Sequence, residues 1–78
     1  MIIPPYAKKA MQDDGINEEE VRHCLKHGEL EIKQLVKGEI RYGKRLDLKH
    51  ISFMVIYTLR NNKERVITVY SIRRKKSW

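Results

Sequence analysis

The apolar positions change period near residue 28. Up to that point they follow a helix. Tyr6, Ala7, Ala10 and Met11 recur at helical spacing with Lys8, Lys9, Gln12 and Asp13 between them, after a Pro4-Pro5 pair suited to a first helical turn. Gly15 is placed to end this helix. Asn17-Glu18-Glu19-Glu20 has capping-box spacing and opens a second helix whose apolar stripe is Val21, Cys24 and Leu25. Its three glutamates complement the positive end of the helix dipole, Lys26 and His27 the negative end, and Gly28 closes it.

From Glu29 the period is two. Leu30 and Ile32 alternate with Glu31 and Lys33, Lys37-Gly38 marks a turn, and Ile40, Tyr42 and Leu46 alternate with Arg41, Gly43 and Arg45. That predicts a hairpin with one wet face, placing Lys33, Arg41 and Arg45 on wet sides. Ile51 to Leu59 is apolar in both phases and rich in strand formers, as a central strand is. Asn61-Asn62 supplies a turn, and Val66 to Ile72 returns as a fourth strand in which Tyr70 shares the phase of Val66 and Ile72. The expected fold is therefore α+β: two N-terminal helices packed on one face of a four-stranded antiparallel sheet. It is a single domain, 1–78, helical over 1–28 and sheet over 29–72, with a basic tail at 73–78.

Composition adds limits. Leu, Ile, Val and Phe supply 21 of the 78 residues, enough for a core despite the charge. A chain this short buries only about 60% of its unfolded surface, so a site is expected on an exposed face or shallow groove. The single cysteine excludes an internal disulfide framework and a Cys-based zinc module. No apolar stretch reaches the roughly 20 residues of a membrane span, and the opening has no basic region followed by a signal-length apolar run. No membrane association and a cytoplasmic location are the expectations.

The net charge of +7 conceals a division. Residues 1 to 31 carry four basic and seven acidic side chains, and residues 32 to 78 carry thirteen and three. A basic second half suggests a polyanion-binding surface, with RNA the candidate partner. Lys33, Arg41, Arg60, Lys63, Arg65 and Arg74 are the expected RNA-binding side chains, gripping phosphates, while Tyr42, Tyr57, Tyr70 and Trp78 offer rings for unpaired bases. Tyr42 shares the phase of Ile40 and Leu46 and is better read as core.

His50 is the one side chain of this half that titrates near neutrality, so it is the candidate general acid or base on a 2′-hydroxyl or a leaving 5′-oxygen. Arg45 and Arg73 would stabilise the pentacovalent phosphate, and Tyr70 completes the candidate catalytic set. The bland account of His50 is a polar turn residue. His23 and His27 share a helix face, but two ligands make no stable site and Cys24 belongs to the apolar stripe, so no metal is expected. The four glycines are spaced as punctuation rather than as a phosphate loop, so no cofactor is expected either. A non-catalytic nucleic-acid or protein-binding module is the alternative, with a sheet edge open to a partner strand.

The run Tyr6-Ala7-Lys8-Lys9-Ala10-Met11 through Gly15-Ile16-Asn17 and Glu19-Glu20-Val21 resembles the opening of the domain of unknown function 4258 family, as do Arg41-Tyr42-Gly43 and Val66-Ile67-Thr68-Val69-Tyr70. Val55 to Arg60 and Arg65 to Arg74 are similar to strands of BrnT-type toxins. The resemblance implies a small domain related to RelE and ParE toxins, with ribonuclease or RNA-binding activity and an acidic antitoxin partner. By motif it assigns function to Arg60 and Arg73. Tyr6 stands where the family pattern opens with histidine, and the basic C-terminal helix of the toxins is reduced to residues 73 to 78.

Overall fold

The computed structural model describes residues 1–49 and 51–73, with the backbone alone for Arg73. Two helices precede a four-stranded antiparallel sheet in which each strand neighbours the next in sequence. Helix α1 (Pro5–Asp14) begins on its prolines and ends where Gly15 turns left-handed at φ 67°, donating its amide to Gln12. Helix α2 (Glu18–His27) carries the full capping box: the Glu20 amide donates to Asn17 Oδ1 at 2.8 Å and the Asn17 amide to Glu20 Oε1 at 3.0 Å. Strands β1 (Glu29–Val36), β2 (Glu39–Asp47), β3 (Ile51–Arg60) and β4 (Lys63–Arg73) follow, the last taking the first residue of the expected tail into the sheet.

Two-residue turns join β1 to β2 and β3 to β4. Lys37 and Gly38 lie at φ 50° and 79°, Asn61 and Asn62 at 51° and 64°. Paired positive φ values give a turn whose twist matches that of the strands, and Gly and Asn adopt them at least cost.

The strands divide the sheet into two faces. Phe53, Val55 and Tyr57 are buried in one cluster with Val66 and Val69 of β4 and with Ala7, Met11, Val21, Cys24 and Leu25 of the helices. This is the core face. Ser52, Met54, Ile56, Thr58 and Arg60 alternate onto the opposite, open face. Each helix has ten residues, about 15 Å, whereas a ten-residue strand spans about 33 Å. The molecule is accordingly 44 Å long and little more than 20 Å in either other direction.

Two bulges alter the phase expected from alternation. In β1 the register passes from Leu30↔Lys44 to Ile32↔Gly43, leaving Glu31 as the extra residue. Ile32 then shares a face with Gly43, and Lys33, paired with Tyr42, shifts to the core face. Lys33 is therefore not beside Arg41 and Arg45. In β4 the register passes from Thr68↔Ile56 to Val66↔Tyr57, with Ile67 as the extra residue. Val66 is buried in the core, but Tyr70, paired with Met54, stands 40% exposed on the open face, out of phase with Val66.

The outer edge of β4 is partly occupied. The Ile2 amide donates to the Glu64 carbonyl and the Val66 amide to that of Ile2, while Asp14 Oδ2 accepts from the Ser71 amide at 2.8 Å. Among the described residues no strand pairs with the outer edge of β1. No described helix is long and apolar enough to cross a membrane.

Candidate functional site

The open face collects most of the basic residues that the sequence singles out. In register order, one cross-strand row is Gln34, Arg41, Thr58 and Arg65, and another is Glu29, Arg45, Met54 and Tyr70. Paired residues in an antiparallel sheet point to the same side, so Arg41, Arg45, Arg65 and Tyr70 belong to one surface. Arg60, paired with Lys63, lies at the hairpin end of the same face.

Between the arginine rows runs an apolar strip formed by Ile32, Gly43 and Ile56. Gly43 is buried, and a Cβ there would lie 2.9 Å from Ile32 Cβ and 3.0 Å from Ile56 Cδ1. The missing side chain lets the two isoleucines close over the middle strand.

The arginines are not bare. Arg45 Nη1 is 3.0 Å from Glu31 and its Nε 3.2 Å from Asp47, whose carboxylate also accepts from Ser52 at 2.5 Å. Glu39 serves two partners: Oε2 lies 3.2 Å from Arg60 Nη2, and Oε1 lies 3.7 Å from Arg41 Nε. The second contact is too long for a hydrogen bond, and Arg41 Nε is buried without any hydrogen-bond acceptor. A buried donor left unsatisfied costs free energy that a correctly placed anionic oxygen would recover.

The predicted residues thus separate. Arg41, Arg45, Arg60, Lys63, Arg65 and Tyr70 come together, and Lys33 does not. Arg73 holds the register position opposite Ile51, in the phase of Phe53 rather than of Met54, so it is not in register with Arg45. His50 and Arg74 lie outside the described residues. Glu39 and Asp47 were absent from the expected site, although positions 39, 41, 45 and 47 share one phase and the pairing was readable from spacing alone. Glu31 reaches Arg45 through the bulge, which spacing does not reveal.

Elsewhere, His23 and His27 stand with ring centroids 4.7 Å apart on the exposed side of α2, while Cys24 is fully buried. Among the described residues no three His, Cys, Asp or Glu side chains group to hold a metal. Burial pushes the Cys24 thiol up to about 11, partly offset by the Lys44 ammonium. Lys44 crosses beneath α2, donating to the Leu25 carbonyl at 2.6 Å and lying 5.7 Å from the centre of the Tyr57 ring. Tyr42 stacks on Tyr57 at 5.4 Å and is half-buried against the core, and burial also raises the Tyr57 phenol. These residues fasten α2 to the sheet.

A family model described as Domain of unknown function (DUF4258) matches residues 6–71. No curated protein and no solved structure matches the chain.

Proposed function

The chain belongs to the Domain of unknown function (DUF4258) family, and on that premise we propose that it is an RNA-binding domain of the RelE/BrnT toxin type, with the open face as the RNA surface. The observation that carries the reading is the gathering of Arg41, Arg45, Arg60 and Arg65 on one face with the exposed ring of Tyr70. Guanidinium groups suit phosphates because their forked donors match two oxygens at once, and an exposed ring offers a stacking platform for an unpaired base. The arrangement of two helices before a four-stranded antiparallel meander supports the RelE-like assignment. Strand order and element order are compatible with it. An acidic antitoxin is the protein partner that this reading implies.

Cleavage would need no metal. A base takes the 2′ proton, an acid protonates the leaving 5′-oxygen, and cations hold the phosphorane. His50 is assigned the proton transfers, with Arg45 and Tyr70 as the supporting groups. A non-catalytic module with the same RNA surface is the second reading, favoured by the carboxylates that already engage Arg45, Arg41 and Arg60.

Titrating a labelled single-stranded RNA tests the proposal. Four arginine–phosphate contacts predict a slope of about −3 in log affinity against log salt, a loss of roughly 50-fold between 50 and 200 mM. Arg45→Ala and Arg65→Ala should each weaken binding and reduce the slope by about 0.7. Absent or salt-insensitive binding would reject both readings. Cleavage in chelator by wild type but not by His50→Ala would select the enzyme.

A further inference from the structure

The two outer edges of the sheet are unlike. That of β4 is partly taken by Ile2 and Asp14, whereas no described strand pairs with that of β1. A bare edge presents a row of unused N–H and C=O groups, which is a template for another strand.

The turn decides which groups are unused. A two-residue turn is closed by a pair that exchanges both backbone hydrogen bonds, here Val36 and Glu39, and bonded pairs alternate from there. Val36, Gln34 and Ile32 therefore bond to β2, while Leu35 and Lys33 turn their N–H and C=O outward. The Ile40 carbonyl agrees with this phase. Opposite Leu35, it is turned to β3, where it accepts from Thr58 Oγ1 at 2.8 Å.

We infer that the outer edge of β1 pairs antiparallel with β1 of a second copy of the chain about a two-fold axis at Gln34, joining the two four-stranded sheets edge to edge. The chain itself sets the register. Beyond the bulge the regular stretch is 32–36, and a symmetric pairing that uses all of it is centred on its middle residue. That centre also brings the outward-turned residues together, so each Lys33 and the Leu35 opposite it exchange both backbone hydrogen bonds.

Charge selects the same centre. Pairing about Lys33 would set that ammonium against itself, and pairing about Leu35 would set Lys33 against Lys37, in a protein that already carries +7. About Gln34 the like charges separate. Leu35, 70% exposed in the single chain, lies along the aliphatic stem of Lys33 of the second copy, and Ile32 meets Val36 on the other face. Lys37 comes opposite the bulge, which carries Glu31. A lysine on an edge discourages indiscriminate pairing, and here it leaves one register open. The axis lies about 17 Å from Glu29, where α2 feeds into the sheet, and the helices pack chiefly on β2, β3 and β4, clear of the joint. The inference does not rest on the RNA reading.

Sedimentation of the full chain over a concentration series is the first test. A pairing of this length is a small interface, so a reversible dimer is expected at about 0.1–1 mM. L35E places a carboxylate opposite Lys33 of the second copy and L35K an ammonium, so L35E should dimerise about tenfold or more tightly than L35K, and K33E/L35K should restore association. Both single variants change a side chain that already stands in water, so their thermal midpoints should match wild type. Cross-linking is the second test. Across the axis the two Gln34 Cα atoms belong to a pair not bonded to one another, about 4.5 Å apart and within disulfide range. Q34C should oxidise to a covalent dimer faster than K33C or L35C, the native Cys24 being buried. A chain still monomeric at about 1 mM overturns the inference. So does equal association of L35E and L35K, which would place any contact elsewhere, or disulfide formation at 34 no faster than at 33 and 35.

Discussion

Glu39→Gln should tighten RNA binding. Glu39 touches two of the four open-face arginines, and on the proposed reading its carboxylate competes with phosphate for them. Its side chain is 31% exposed and those of Arg41 and Arg60 are 39% and 59% exposed, so both pairs lie at the surface, although the Arg41 Nε itself is buried. Pairs of this kind contribute about 0.2–1 kcal/mol each. Gln keeps the shape and a hydrogen-bonding carbonyl but removes the charge. The competition relieved is therefore about 0.4–2 kcal/mol, equivalent to about a 2- to 30-fold gain in affinity. The same pairs are lost to the folded state, so unfolding should become easier by no more than about 2 kcal/mol. Because the wild-type slope of about −3 already counts Arg41 and Arg60, the salt slope should stay near that value while the affinity rises. Fluorescence anisotropy with a labelled single-stranded oligonucleotide, repeated over a range of salt, reads both quantities. Glu64→Gln is the control, because it adds the same unit of net charge at a residue paired with Leu59, off the phase of Arg60. Equal gains from the two substitutions would reduce the effect to net charge. No gain from Glu39→Gln in a folded variant would refute the placement of RNA on this face.

Two further outcomes concern the scaffold. A Cβ at Gly28 would meet the Cys24 carbonyl at 2.6 Å and the Arg45 carbonyl at 2.9 Å, whereas at Gly43 it would meet only isoleucine side chains. Gly28→Ala should therefore lower the thermal midpoint more than Gly43→Ala, whose overpacking should cost about 1–3 kcal/mol; the reverse order in thermal melts would contradict the packing described. The Cys24 thiol, raised by burial from its ordinary 9.0 to about 11, keeps its proton more tightly when folded. Stability from this group is intact below pH 9 and declines as pH rises through 11, by about 2–3 kcal/mol in all. Tyr57, raised for the same reason, acts in the same direction at higher pH. Denaturant melts at pH 8 and 11 should show the loss, and Cys24→Ala should remove the share that begins near pH 9.

Much of this architecture was legible in the residues. Pro4-Pro5, Gly15, the Asn17 capping box and the two positive-φ turns each have a local cause, and each lies where its cause predicts. What alternation misplaced was the face of Lys33 and of Tyr70. The side-chain period of a strand is two, so a single inserted residue exchanges the faces of everything beyond it. Glu31 does this in β1 and Ile67 in β4. No composition signal marks either position, since neither is glycine or proline and both flank ordinary strand formers. The bulge in β1 has a visible consequence: Glu31 reaches Arg45. The arginine site was legible as a set of residues, and its pairs within β2, Glu39–Arg41 and Arg45–Asp47, by spacing, but its cross-strand pairs Arg45–Glu31 and Arg60–Glu39 were not. Pairing across strands depends on register, and register depends on those bulges.

The ion pairs also bear on which polyanion the arginine face would prefer. A carboxylate partner approaching Arg45 or Arg60 would exchange one carboxylate for another, with little net gain, because Asp47, Glu31 and Glu39 are already in place. A phosphodiester chain differs in two respects. It presents successive charges that can engage Arg41, Arg45, Arg60 and Arg65 together, and its binding releases condensed counterions, an entropic gain that isolated carboxylates lack.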